Sequence, residues 1–327
     1  GGFFMATIGQ IESRLRGLGY NNLRSISAKR VAILTNGDRT SILQSVAQEL
    51  SEEFGAVYNP SPTTSSGSLI SSVGAIDLNG NKMILARPAN RQGGNSAGLS
   101  NEAALVNNIQ RHLNDWGTLT VIFTGGGKRV KVEGVNGVRS VGGSTADRSK
   151  SDVELTTTTG QSFPISIKKN NAEYWESADR LWGETAGRVL DFLVEKGDIT
   201  INRSGNVSQF GPGTTGVSLP CSNAEKTDFV FGNDILGNGI IVKQTFNPAN
   251  FRWSEDTGTL TVSCSKVFKT LNDITSSSEN PHILIRKDRT RSSIPGYPGM
   301  RVLCTYQSRA NSGSVRRFSR QYLRSVL

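Results

Sequence analysis

Apolar residues in this chain come in short runs that end at Gly, Asn, Ser or Pro, and this punctuation limits it to many short elements. No run approaches the roughly 18 apolar residues of a membrane-crossing helix, so an integral membrane protein is excluded. The 327 residues suffice for one large domain or two ordinary ones, each with its own core. Helical and strand periodicities alternate along the chain, which predicts an α/β fold. Gly1-Gly2-Phe3-Phe4 reads as a tag remnant ahead of a natural start at Met5.

Three blocks are expected. Residues 1–65 read as an α/β segment, with a helix over Ile8–Leu18, a strand over Arg30–Thr35 and a helix over Ser41–Phe54. Residues 66–197 open with strand-like runs Leu69–Leu78 and Lys82–Ala86, joined at the hairpin signal Asn79-Gly80-Asn81. A flexible loop, Arg91–Leu99, precedes a helix over Asn101–Trp116 with Ser100 as its N-cap. Then come a strand over Leu119–Thr124, a glycine-rich basic loop extending to Gly143, and a strand pair, Asp152–Thr157 and Ser162–Lys169, turned at Gly160-Gln161. A long helix over Asn171–Lys196 closes the block. Residues 198–327 read as a β-rich basic region ending in a helix over Val315–Val326.

Charge narrows the choice of partner. The chain carries a formal charge of +10, and from Pro281 to Leu327 ten Lys and Arg face one acid, Asp288. Guanidinium groups pair bidentately with phosphate and release its counterions, so a nucleic acid is the expected partner. Lys128, Arg129, Lys131, Arg148 and Lys150 in the middle block, and Arg316, Arg317, Arg320 and Arg324 at the end, are the candidate phosphate contacts. The plain alternative is a solvated helix with a basic face. Gly125-Gly126-Gly127-Lys128 is not a phosphate-binding loop, because the glycine spacing is wrong and Arg129 replaces the Ser or Thr.

Other chemistries find little support. Three scattered cysteines, Cys221, Cys264 and Cys304, are too few for a disulfide framework or a zinc site. They read as idle thiols in a reducing, cytoplasmic setting. Two distant histidines argue against a Ser-His-Asp hydrolase, and His112 falls on the apolar face of its helix as a packed core residue.

The strand pair carries the chemistry. Side chains alternate along a strand, so Asp152 and Glu154 share one face while Val153 and Leu155 share the other. Ser166 and Lys168 likewise share a face opposite Ile165 and Ile167. Acid and lysine presented together suit divalent-metal hydrolysis of a phosphodiester, in which carboxylates hold Mg²⁺ and a lysine orients water. The pattern resembles the PD-(D/E)xK nuclease superfamily, with Asp152 matching the first acid and Ser166-Ile167-Lys168 a Ser-x-Lys form of the second half. Glu102, 50 residues before Asp152 on the preceding helix, matches the acid that many members carry there.

The resemblance covers 69–196 and implies a restriction-endonuclease-like core, a mixed central sheet flanked by helices. It implies a Mg²⁺- or Mn²⁺-dependent DNA endonuclease of phage or restriction type, acting in the host cytoplasm if phage-encoded. Asp152 would be the principal metal ligand, aided by Glu102, Glu154 and the main-chain oxygen of Ile167. Lys168 would orient water, with Ser166 as weaker polar support. Two other readings stay open. One is a nuclease fold without its second acid that only grips nucleic acid, and the other is a virion or assembly protein. A homodimer would suit duplex cutting, but nothing in the sequence marks an interface. Each residue also has a plain role: Glu102 beside a helix dipole, Asp152 and Glu154 on a solvent face, Lys168 guarding a strand edge.

Overall fold

The first helix, α1 (Ile8–Gly17), starts where Thr7 and Gln10 exchange hydrogen bonds between side chain and main chain. The computed structural model describes residues 6–65, 67–89, 100–142, 148–201, 207–288 and 290–327. The expected tag remnant and start, the 91–99 loop, part of the glycine-rich stretch (143–147) and Arg289 lie outside these residues. After α1 come β1 (Leu23–Ser25), β2 (Arg30–Thr35), α2 (Arg39–Phe54), β3 (Val57–Asn59), β4 (Ala75–Leu78) and β5 (Lys82–Pro88). Next are α3 (Asn101–Trp116), β6 (Leu119–Gly125), β7 (Lys128–Ser140), β8 (Val153–Thr157), β9 (Ser162–Lys168), β10 (Tyr174–Ser177) and α4 (Asp179–Glu195).

The remainder is built from shorter pieces. They are β11 (Thr200–Ile201), β12 (Val207–Gln209), β13 (Gly216–Pro220), α5 (Asn223–Lys226), a π-helical turn (Thr227–Phe231) and β14 (Ile240–Lys243). Then follow β15 (Phe251–Ser254), β16 (Thr259–Ser263), β17 (Lys266–Phe268) and α6 (Leu271–Thr275). Last come β18 (Pro281–Lys287), β19 (Met300–Tyr306), α7 (Gln307–Ala310) and β20 (Val315–Arg317). The fold is mixed α/β with several sheets, none closed into a barrel. Among the described residues no helix is long and apolar enough to cross a membrane.

The chain divides into two units, each drawn from three segments: Gly1–Val141, Asp152–Phe163 and Lys243–Val267 in the first; Gly142–Ser151, Pro164–Val242 and Phe268–Leu327 in the second. The first unit contains the sheet β1-β2-β5-β4-β3, in which β2 and β5 run parallel. Helix α2 begins at Asp38, which accepts from Ser41 N, and ends at Gly55 in the left-handed region. Its buried Leu43, Val46, Ala47, Leu50 and Phe54 recur at helical spacing and join Ile11, Leu15 and Ile84 in one core.

A second set of strands in this unit runs β15-β16-β6-β7-β8, with β16 parallel to β6. β6 turns into β7 through Gly126 and Gly127, both with positive φ (56° and 81°), the primed turn that matches strand twist. The basic stretch from Lys128 is therefore a strand rather than a loop as far as Ser140. Val130, Val132 and Val135 point inward, while Arg129, Lys131 and Glu133 face water.

The second unit is organised on the sheet β10-β19-β18-β13-β20. Every residue of β19 is buried, and on α4 the buried set is Trp182, Ala186, Val189, Leu190 and Leu193. Two expected helices differ here. Over 171–196 the helix begins only at Asp179, because Tyr174–Ser177 pairs antiparallel with Leu303–Thr305 of β19 and Trp175 Nε1 donates to Glu279 O at 2.8 Å. At the end of the chain Val315–Arg317 lies parallel to β13, Phe318 N donates to Ser218 O, and the remaining residues turn without forming the expected helix. In both places open backbone groups on a strand edge outweigh helical periodicity.

One close approach gives a direct test. A Cβ on Gly239 would lie 1.8 Å from Pro164 O, whereas nothing lies within 4 Å of one on Gly127. Gly239→Ala should lower stability by about 2 kcal/mol in urea unfolding. Gly127→Ala should lose only about 1 kcal/mol, from its left-handed backbone.

Candidate functional site

Helix α3 is placed by its first residues. Ser100 Oγ accepts from Ala103 N, and the buried Asn101 donates to Gln244 O (2.7 Å) while accepting from Phe246 N (2.8 Å). Glu102 follows in the first turn and is half-buried. Further along, His112 is buried with Nδ1 2.7 Å from Asn108 O and its ring 4.4 Å from that of Trp253. That environment is a packed core.

β8 shows the alternation read from its sequence. Val153 and Leu155 are fully buried, while Asp152 and Glu154 lie half-buried on the other face. Val141 N donates to the main-chain oxygen of Asp152 at 2.9 Å. Glu154 stands opposite Arg139 on β7, its Oε1 accepting from Arg139 at 3.1 Å and from Ser162 Oγ at 2.6 Å. Glu154 is thus engaged by its neighbours on both sides. The turn into β9 is closed by Thr157 N donating to Gln161 O.

Ser166, Ile167 and Lys168 belong to the second unit. Here the expected alternation fails: Pro164, Ile165, Ser166 and Ile167 are all buried, so this half of β9 is enclosed on both faces. Lys168 emerges at its end, half-buried, and Nζ donates to Trp175 O at 2.6 Å.

The second unit also contains an ion network that sequence reading missed. Asp228, 9% exposed, pairs with Arg148 and with Arg180 (2.5 Å), and Glu176 pairs with Lys150 and lies 3.7 Å from Arg180. Asp234 accepts from Ser149 Oγ (2.6 Å), Lys150 N (3.0 Å) and Ser151 N (3.1 Å). A π-helical turn positions Asp228, a geometry often found at functional sites. The acids lie 80 or more residues from their partners in several cases, so no local pattern announces them.

Several expected phosphate contacts already have protein partners. Arg148 and Lys150 belong to the network above; Arg316 is bound to Asp198 (3.0 Å) and Arg320 to Glu225 (2.8 Å). Lys131 pairs with Glu133 across open solvent, which lowers the Glu133 pKa. Arg129, Arg317 and Arg324 are exposed and carry no ion pair among the described residues.

The acids also limit how a metal could be held. Among the described residues no three His, Cys, Asp or Glu side chains converge as a metal cage, so Glu102, Asp152 and Glu154 do not form one. Mg²⁺ does not require such a cage, since it keeps several waters and is commonly bound through one or two carboxylates.

The thiols are not part of this chemistry. Burial pushes Cys264 up to about 12, and burial together with the neighbouring Cys221 raises Cys304. All three cysteines should react slowly with an aromatic disulfide reagent at pH 8 in the native protein and promptly in guanidinium. Replacing Asp234 by Ala removes three hydrogen bonds to an ionised group and should lower stability by about 3 kcal/mol in urea unfolding, with Asp234→Asn nearer to wild type. Compared with known proteins, the chain matches no family model, no curated protein and no solved structure.

Proposed function

We propose that the protein is a divalent-metal-dependent DNA endonuclease of the PD-(D/E)xK type. The observation that carries this reading is the order of elements. α3 with Glu102 precedes the β6–β7 hairpin, Asp152 stands at the entry to β8, a short turn leads into β9 with Ser166-Ile167-Lys168, and α4 follows after the short strand β10. Apart from β10, this order is the one the resemblance implies, and it supports the reading without itself identifying the core.

Asp152 is assigned the principal role in holding Mg²⁺ or Mn²⁺, with Glu102 in support. Glu154 is the weaker candidate because Arg139 and Ser162 already engage its carboxylate. When bound, the metal would polarise the scissile phosphate and lower the pKa of an attacking water. Lys168, anchored at the Trp175 carbonyl, would supply the positive charge that orients a water and offsets negative charge on a phosphate. Arg129, Arg317 and Arg324 hold the DNA backbone. A second reading, a nuclease fold that binds nucleic acid without cutting it, is favoured by the absence of a three-carboxylate group among the described residues and by Ser166 in the second acid position.

Incubation of circular DNA with wild type, Asp152→Ala and Lys168→Ala in Mg²⁺ or Mn²⁺ separates the two. Cleavage that requires metal and falls by at least about 10²-fold in both variants supports the nuclease. Tight, salt-sensitive binding with no cleavage of duplex, single-stranded or branched DNA by wild type would leave the binding protein.

A further inference from the structure

Among the described residues, two arginines in the second unit form no side-chain hydrogen bond. Arg286 on β18 and Arg301 on β19 stand directly opposite each other in the antiparallel ladder. Like charges at facing positions repel, and negative charge between them offsets that repulsion. The carboxylate that reaches both is Asp288, whose Oδ2 lies 3.7 Å from Arg286 and 3.8 Å from Arg301. Those separations are beyond hydrogen-bonding range.

Asp288 is oriented by its own loop instead. Its Oδ1 accepts from Thr290 N, Thr290 Oγ1 and Arg291 N at 3.0 to 3.1 Å. The Thr290 hydroxyl first, then these main-chain bonds and the Arg286 charge, hold the carboxyl below its usual range.

Burial makes incomplete pairing costly. The Arg301 side chain is 8% exposed and that of Arg286 30%, and Arg286 Nε is buried without a hydrogen bond. Buried guanidinium donors are ordinarily satisfied. Arg301 is steadied from one side by the Tyr174 ring, 5.7 Å from the guanidinium carbon to the ring centroid. The other ladder partner of Arg286 is Gly216, which offers no side chain to pair with it or cover it. Two guanidinium forks and one carboxylate leave a single net positive charge, and a phosphodiester carries a single negative one.

We propose that Arg286 and Arg301 form a seat for a phosphate group, in which oxygens of the ligand take the bidentate positions that Asp288 leaves unfilled. The seat lies wholly within the second unit and does not depend on the cleavage reading. The ligand is either the backbone of a nucleic acid or a small phosphate compound, and the chemistry of recognition is the same for both.

The test titrates wild type, Arg286→Gln and Asp288→Asn with inorganic phosphate against sodium chloride at matched ionic strength, following the thermal midpoint. A parallel titration uses a fluorescein-labelled oligothymidylate. Phosphate should raise the midpoint of wild type above the chloride control. Arg286→Gln should weaken phosphate binding by about tenfold or more. Asp288→Asn keeps an oxygen for the loop but removes the competing charge, so it should tighten binding. If Arg286→Gln also weakens the oligonucleotide and lowers its salt slope by about one, the ligand is a nucleic acid backbone; if it weakens phosphate alone, the ligand is small. Either result upholds the seat. No phosphate-specific rise in wild type, or affinities for phosphate unchanged in both variants, would overturn it.

Discussion

A strand edge presents N–H and C=O groups that must be paired or hydrated, and in each unit the partners for early strands arrive from late in the chain. In the first unit β6 is covered on one side by β7, its neighbour in sequence, and on the other by β16, which lies parallel to it. In the second, β10 is closed by β19 and β13 by β18 on one side and β20 on the other. These non-local ladders decide which residues face one another. Arg286 meets Arg301, and Glu176 comes to lie opposite Cys304, because of register rather than proximity in sequence.

The same ladders determine what the positive charge of the chain is available to do. A surplus of ten might be read as ten groups free to meet a polyanion. Several of them are instead held within the second unit, and Asp228 alone, almost buried, engages Arg148 and Arg180. Breaking such a pair leaves a charge without its counterpart and costs far more than an exposed pair contributes. Solvent-facing pairs such as Lys131 with Glu133 add little to stability. Electrostatic attraction to nucleic acid therefore rests on fewer groups than composition suggests.

What the sequence reveals of this fold is what local forces decide. Helices α2 and α3 carry both periodicity and a side-chain cap, and their bounds agree with the expected ones to within about two residues. The separation of Asp152 and Glu154 from Val153 and Leu155 follows from strand geometry alone. Ser166 and Ile167 were not legible in this way, since enclosure on both faces depends on neighbours the local pattern does not name. The final arginines read as a helix because Val315, Leu323 and Val326 have roughly helical spacing. The actual placement follows from the free edge of β13, with Leu323 buried in the core. Asp228, Asp234 and Asp288 gave no signal, for their partners are fixed only once the sheets have formed.

The threading of the chain through its two units has a consequence for biosynthesis. The first unit is finished only when β15 and β16 have been made, up to residue 263, and the second needs β20, which ends at Arg317. The core of α1, α2 and the sheet β1-β2-β5-β4-β3 lies within residues 6–88 and can close early, whereas β6 waits for β16 and β13 waits for β20. Loop closure over such spans is slow, and nascent strands with open edges are prone to aggregate. The N-terminal sheet can thus precede the rest, but β6 and β13 keep an open edge until their late partners are made. It is those edges, rather than the N-terminal sheet, that need shielding while the chain is being made.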